Sequence, residues 1–174
     1  MNATNKTLSL LSLCFLIDCS SPDVDLDSNS ISIRTDQELF ELVKNTKEWT
    51  YWANSQDTLL KGNGSGHIEN KLQTRYNLLA STSLDESGIV KDGIQFQEGS
   101  LIVKDLFNNS ELNTIAVMYK NAASPHKANN DWVWGYFAPD GSVRSGIATG
   151  YKNCQNCHVP GIDFTLMNAV HKNN

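Results

Sequence analysis

Cys154, Cys157 and His158 stand in the string Cys154-Gln155-Asn156-Cys157-His158, the Cys-x-x-Cys-His spacing that covalent attachment of c-type haem requires. Two intervening residues let both sulfurs reach the two vinyl groups of one haem edge, and the adjacent imidazole lies under the iron as proximal ligand. One covalently held haem is therefore expected, with Cys154 and Cys157 as thioethers and His158 on the iron. Two other uses of paired cysteines fit less well. A thioredoxin-like redox motif has a helix and further sheet behind it, yet only sixteen residues follow His158. Structural zinc takes four ligands, and the chain has no second Cys-x-x-Cys pair.

The N-terminus bears on where this chemistry takes place. Met1 to Thr7 carries Lys6, Leu8 to Ile17 is a mainly apolar run of ten residues, and polar Ser20-Ser21-Pro22-Asp23 follows. That order reads as an export signal over residues 1–18; ten residues are about half of a bilayer crossing. Leu16-Ile17-Asp18-Cys19 resembles a bacterial lipobox, with Asp18 where a small uncharged residue is usual. Cys19 is accordingly expected to carry lipid and to hold the protein at a membrane surface. Cys14 leaves with the signal, so no disulfide is expected. Residues 19–33, rich in Ser, Asp and Asn, read as a tether, and residues 34–174 as one domain with one core.

The formal net charge is −5 over 174 residues, and the signal removes Lys6 and Asp18 together, leaving that balance unchanged. Lys and Arg are scattered without a basic stripe, so nucleic acid is not an expected partner. Thr35-Asp36-Gln37-Glu38 has capping-box form, and the apolar residues after it predict a helix to about Trp52. Lys61 to His67 reads as a plain turn rather than a phosphate loop, because the Gly-Lys-Ser/Thr ending is missing. Leu101 to Val103, Ile115 to Tyr119, Trp132 to Phe137 and Val143 to Ile147 read as short strands, with Pro139-Asp140-Gly141 as a hairpin turn. The fold class expected is α+β: an antiparallel sheet of about four to five strands flanked by helices, with the haem string after the sheet. Asp163 to His171 is expected to form a short terminal helix.

From about Gly66 to Leu166 the chain resembles the cytochrome P-460 family of exported mono-haem proteins. The resemblance is carried by His67 with Thr74-Arg75-Tyr76-Asn77, by Phe96-Gln97-Glu98-Gly99-Ser100 leading into Ile102-Val103-Lys104, and by Val117 to Lys120. Asp131-Trp132-Val133-Trp134 with Pro139-Asp140-Gly141, and Cys154 to His158 followed by Asp163-Phe164, complete it. Gln97 stands where Pro is usual, and Thr165-Leu166 where Val-Phe is commoner; both concern packing. The resemblance implies one of two chemistries. In P-460 proteins proper a lysine is bonded to the haem ring and hydroxylamine is oxidised at an open iron position. In the related cytochromes c′-beta an ordinary c-type haem binds nitric oxide or carbon monoxide.

Lys104 is the first candidate for a ring crosslink, with Lys91 and Lys120 behind it; a solvated lysine on an outer strand face is the alternative for each. Glu98, Asp105 and Asp131 are candidate distal bases, since hydroxylamine oxidation needs a proton acceptor within hydrogen-bond reach. Met118, Met167, His67, His126 and His171 are the side chains that could fill a sixth iron position and make an electron carrier. Trp132 and Trp134 share one sheet face and line either the pocket or the core. The expected partners are small nitrogen ligands such as hydroxylamine or nitric oxide, a periplasmic electron carrier, a membrane reached through the lipid, and a second copy in a homodimer.

Overall fold

A computed structural model describes residues 31–62 and 65–166. The export signal, Cys19, most of the tether, Met167 and His171 lie outside the described residues. Helix α1 (Asp36–Asn45) starts as its capping box dictates. Glu38 N–H donates to Thr35 Oγ1 at 3.2 Å, while Arg34 and Thr35 N–H donate to the Glu38 carboxylate at 2.7 and 3.0 Å. Leu39 and Val43, one turn apart, form its buried stripe. The helix does not run on to Trp52 as expected. Thr46 turns to extended backbone and its hydroxyl donates to the Leu42 carbonyl at 2.8 Å, which closes the last turn. The β-branched and aromatic residues after it enter the sheet instead, through β1 (Thr50–Tyr51).

The remaining strands are β2 (Leu59–Leu60), β3 (Lys71–Tyr76), β4 (Leu101–Asn108), β5 (Glu111–Lys120), β6 (Trp132–Phe137) and β7 (Val143–Ser145), with a short helix α2 (Leu78–Ser81) after β3. They make one antiparallel sheet of seven strands in the order β1-β3-β4-β5-β6-β7, with β2 also on β3. The α+β class and antiparallel sheet are as expected, with additional strands supplied by the first half of the chain. The Pro139-Asp140-Gly141 turn joins β6 to β7, with Gly141 at φ +88 and its N–H donating to Ala138 O at 2.9 Å.

Alternation along the central strands sorts side chains to two faces. One face carries Leu101, Val103, Val117, Val133 and Phe137, packed against Leu39 and Val43 of α1. The other carries Ile102, Met118, Trp132 and Trp134, packed with Tyr76, Ala80, Val90 and Phe96. Removing each such large apolar side chain from water contributes roughly 1.5–3 kcal/mol.

After β7 the chain forms α3 (Ile147–His158), so the cysteine string lies on a helix. The expected strand to Ile147 stops at Ser145. At this junction the Asp36 carboxylate of α1 accepts from the Ile147 N–H at 2.6 Å, placing negative charge at the positive end of α3. Gly150 lets α3 lie directly on β6, since a Cβ there would meet the Trp134 carbonyl at 2.7 Å. Asp163 and Phe164 adopt positive φ of 45° and 62°, so the described part of the expected terminal helix is a tight turn.

Candidate haem site

Cys154 and Cys157 are three residues apart on α3 and therefore share one helix face. Both thiols are unpaired, and both line an open cavity of about 290 Å³ together with His158, His67, Lys104 and Tyr136. Behind it lies a recess of about 30 Å³ that reaches Ala116, Met118 and Trp134, room for a molecule of two or three heavy atoms. Burial, then the neighbouring Cys157, pushes the Cys154 thiol up to about 11. A thiol held protonated at neutral pH lacks the reactive thiolate of a redox dithiol.

His158 is oriented by the turn that follows it. Its Nδ1 lies 2.8 Å from the Phe164 carbonyl, so Nδ1 carries the proton and donates, leaving Nε2 with its lone pair as a metal-ligating nitrogen. Its ring meets Trp134 edge-on, with centroids 4.8 Å apart. Burial, followed by the cationic field of Lys104, lowers His158 to about 4, which keeps the ring neutral and competent as a ligand. Two thiols on one helix face and a neutral imidazole, all on one cavity wall, fit a haem held by the Cys-x-x-Cys-His string. Among the described residues no cluster of three or more His, Cys, Asp or Glu could hold a bare metal ion.

The turn itself is tied down by Asp163. Its carboxylate accepts from Phe96 N–H, Lys120 Nζ and Asn130 Nδ2, each at 2.8 Å, and its carbonyl accepts from Trp132 Nε1 at 2.9 Å. These bonds hold two residues in positive φ, a conformation that costs on the order of 1–3 kcal/mol each. The outcome is a Phe164 carbonyl fixed beneath His158.

Of the three candidate lysines, Lys104 lines the cavity. It is 3% exposed, and burial lowers its amine to about 8. Lys104, Ala116 and Tyr136 form one row across β4, β5 and β6, and the small Ala116 side chain leaves the hollow between the two longer ones. Lys91 is exposed and donates to the Thr82 carbonyl; Lys120 is taken by Asp163.

None of the three candidate bases is brought to the cavity. Asp105 follows Lys104 in the strand, so alternation sends it to the opposite face. There it accepts from Arg75 Nε and Nη2 at 2.6 and 3.2 Å. Glu98 accepts from the Ala122 N–H and the Asn121 amide, and Asp131 pairs with Lys127 at 2.9 Å. Met118 is buried in the core cluster on the recess wall, and His126 sits in a loop with its N–H on Ser124 Oγ. Trp132 and Trp134 are both core residues, and Trp134 also reaches the recess.

Sequence reasoning missed the weight of His67 and Tyr136. His67 Nδ1 and the Tyr136 hydroxyl are hydrogen-bonded at 2.8 Å, with their rings nearly parallel at 6°. His67 lies at the end of a segment that reads as a plain turn, and 69 residues separate it from its partner, so no local signal announces the pair.

The family model described as Cytochrome P460 matches residues 47–164, which takes in the sheet, α3 and the Asp163 turn. No curated protein matches the chain, and no solved structure matches it.

Proposed function

Since the chain belongs to the cytochrome P460 family, haem is its cofactor, and we propose that it carries a single c-type haem doing redox chemistry on small nitrogen species. Cys154 and Cys157 are the proposed thioether ligands and His158 the iron ligand. When bound, haem supplies an iron that takes small ligands such as hydroxylamine or nitric oxide and exchanges electrons with them. The chain's own contributions are to orient the imidazole through the Phe164 carbonyl, to keep water out with the Trp134 and Met118 wall, and to present Lys104.

The observation that carries this reading is Lys104, a buried amine on the same cavity as the cysteine string. Burying an amine costs stability, so its retention on the wall of this cavity points to use, and we assign it as the lysine of a ring crosslink. A second reading, non-catalytic binding of nitric oxide or carbon monoxide, is favoured by a different observation: among the described residues that line the cavity there is no Asp or Glu. Simple electron transfer is the third reading and requires a filled sixth position. Export, a lipid at Cys19, a periplasmic electron carrier and a homodimer formed through an exposed sheet edge complete the proposal.

The visible spectrum of the dithionite-reduced mature domain tests it, with the protein matured alongside c-type haem attachment machinery. A broad, strongly red-shifted Soret band that reverts to the ordinary c-type position in Lys104→Arg is the expected result. An ordinary c-type band in the native protein that shifts with nitric oxide or carbon monoxide would move the assignment to gas binding. Absence of haem, or haem that is released by denaturation without breaking a thioether, would overturn it.

A further inference from the structure

Among the described residues no carboxylate lines the cavity, yet a polar nitrogen ligand brings N–H and O–H groups that need partners inside a partly apolar site. His67 and Tyr136 line both the main cavity and the recess. The Tyr136 hydroxyl occupies His67 Nδ1 at 2.8 Å, and among the described residues nothing bonds Nε2. A neutral imidazole has one donor and one acceptor nitrogen. With Nδ1 engaged, Nε2 is left with one hydrogen bond to offer.

Tyr136 is itself held in place. It stands in register between Ala116 of β5 and Ser145 of β7. Its phenol is kept protonated chiefly by burial and then by the field of Glu69. Glu69 is 1% exposed and accepts from Thr114 Oγ1 at 2.6 Å and Asn113 Nδ2 at 2.8 Å. The ring of His67 is thus hydrogen-bonded to a side chain that projects from a strand paired on both sides.

We propose that His67, positioned by Tyr136, is the hydrogen-bonding partner of the small ligand in this cavity and makes the site prefer hydroxylamine over carbon monoxide. Hydroxylamine both donates and accepts, so it satisfies either tautomer of the ring. Carbon monoxide is at best a weak acceptor and gains little. A site built around a polar contact discriminates against ligands that cannot make it, because its own polar group is then left unpaired. His67 is the specificity-determining residue and Tyr136 a positioning residue. The inference rests on the open-site reading above.

Optical titration of the purified holoprotein tests it, with hydroxylamine added to the oxidised form and carbon monoxide to the reduced form. His67→Phe is expected to weaken hydroxylamine roughly tenfold while carbon monoxide affinity stays within about twofold. His67→Gln keeps a side-chain donor and acceptor and is expected to recover most of the loss. Tyr136→Phe, which frees the ring without removing it, should give an intermediate loss for hydroxylamine alone. Thermal melts that match the native protein show that the variants are folded; if His67→Phe fails there, the Gln and Tyr136 variants decide. Parallel changes in both affinities, or no change in either, would overturn the assignment. So would a native low-spin, six-coordinate spectrum that becomes five-coordinate in His67→Phe, since His67 would then be an iron ligand. A native holoprotein that binds neither molecule condemns the open site itself and the inference with it, whereas failure confined to the variants condemns only the role of His67.

Discussion

Lys120 Nζ and Asp163 Oδ2 are 2.8 Å apart, with the carboxylate side chain fully buried and the lysine side chain 10% exposed. The lysine also lies over the Trp132 ring, 4.9 Å from its centroid. This pair joins the end of β5 to the turn that carries the Phe164 carbonyl to His158. It therefore links the rigid centre of the sheet to the orientation of the proposed iron ligand.

Removing one partner of such a pair leaves the other charge buried without compensation. Asp163→Asn is expected to destabilise the protein by roughly 3–5 kcal/mol in urea denaturation. It should also release the Phe164 carbonyl from His158, visible as a lower haem content per folded protein and a changed reduction potential. Unchanged stability would mean that the turn is held by its backbone bonds alone.

Gly150 is the point where α3 touches β6. Alanine raises helix propensity by about 1 kcal/mol, but its Cβ would meet the Trp134 carbonyl at 2.7 Å. Backbone cannot yield as a flexible side chain can, so overpacking should win and cost a net 1–3 kcal/mol or so. Denaturant midpoints of the native protein and Gly150→Ala check the sign. A stabilised variant would show that α3 can lift away from the sheet freely.

Lys104 is expected to be a site where function costs stability. Burial lowers its amine to about 8, below the ordinary value of 10.5, so at pH 7 folding must bury a charge that the unfolded chain keeps solvated. In haem-free protein carrying Cys154→Ala and Cys157→Ala, Lys104→Met should therefore raise stability at pH 7 by roughly 1–3 kcal/mol. The folded amine has the lower pKa, so the unfolded state binds more protons between about pH 8 and pH 10.5. The advantage of methionine should shrink as pH rises through that window. Equal stabilities at pH 7 would mean that the amine finds solvation in the fold.

The capping box gives α1 an acid-sensitive start. Hydrogen bonds from the Arg34 and Thr35 backbone, the largest causes first, hold the Glu38 carboxyl below its ordinary value of 4.5. A depressed folded pKa contributes stability above the unfolded value, and that contribution fades as pH falls below about 4.5 and is gone below the folded pKa. Comparing the native protein with Glu38→Gln from pH 7 to pH 2 should show a gap at neutral pH that closes in that range. A gap that persists at pH 2 would assign the effect to packing rather than charge.

The sequence by itself determined the cysteine string, the order of family segments, the helix start at Thr35, the Pro-Asp-Gly hairpin and the central strands. Each of these is written within a few consecutive residues, as a spacing, a cap or an alternation. Alternation alone even requires Lys104 and Asp105 to face opposite ways, although it does not say which of them meets the cavity. Strand β3 was harder to see, because its buried positions include Thr74 beside Leu72 and Tyr76. Helix α3 was not legible, since Gly150 and its polar residues blur any apolar stripe; it is supported by Asp36 from α1 and by contact with β6. Only the tertiary structure decided that Lys104 enters the cavity while Glu98, Asp105 and Asp131 do not, and that His67 meets Tyr136 across 69 residues. Strand register and the Asp163 turn make those choices, and both arise from pairing between distant segments, which local residue patterns do not encode.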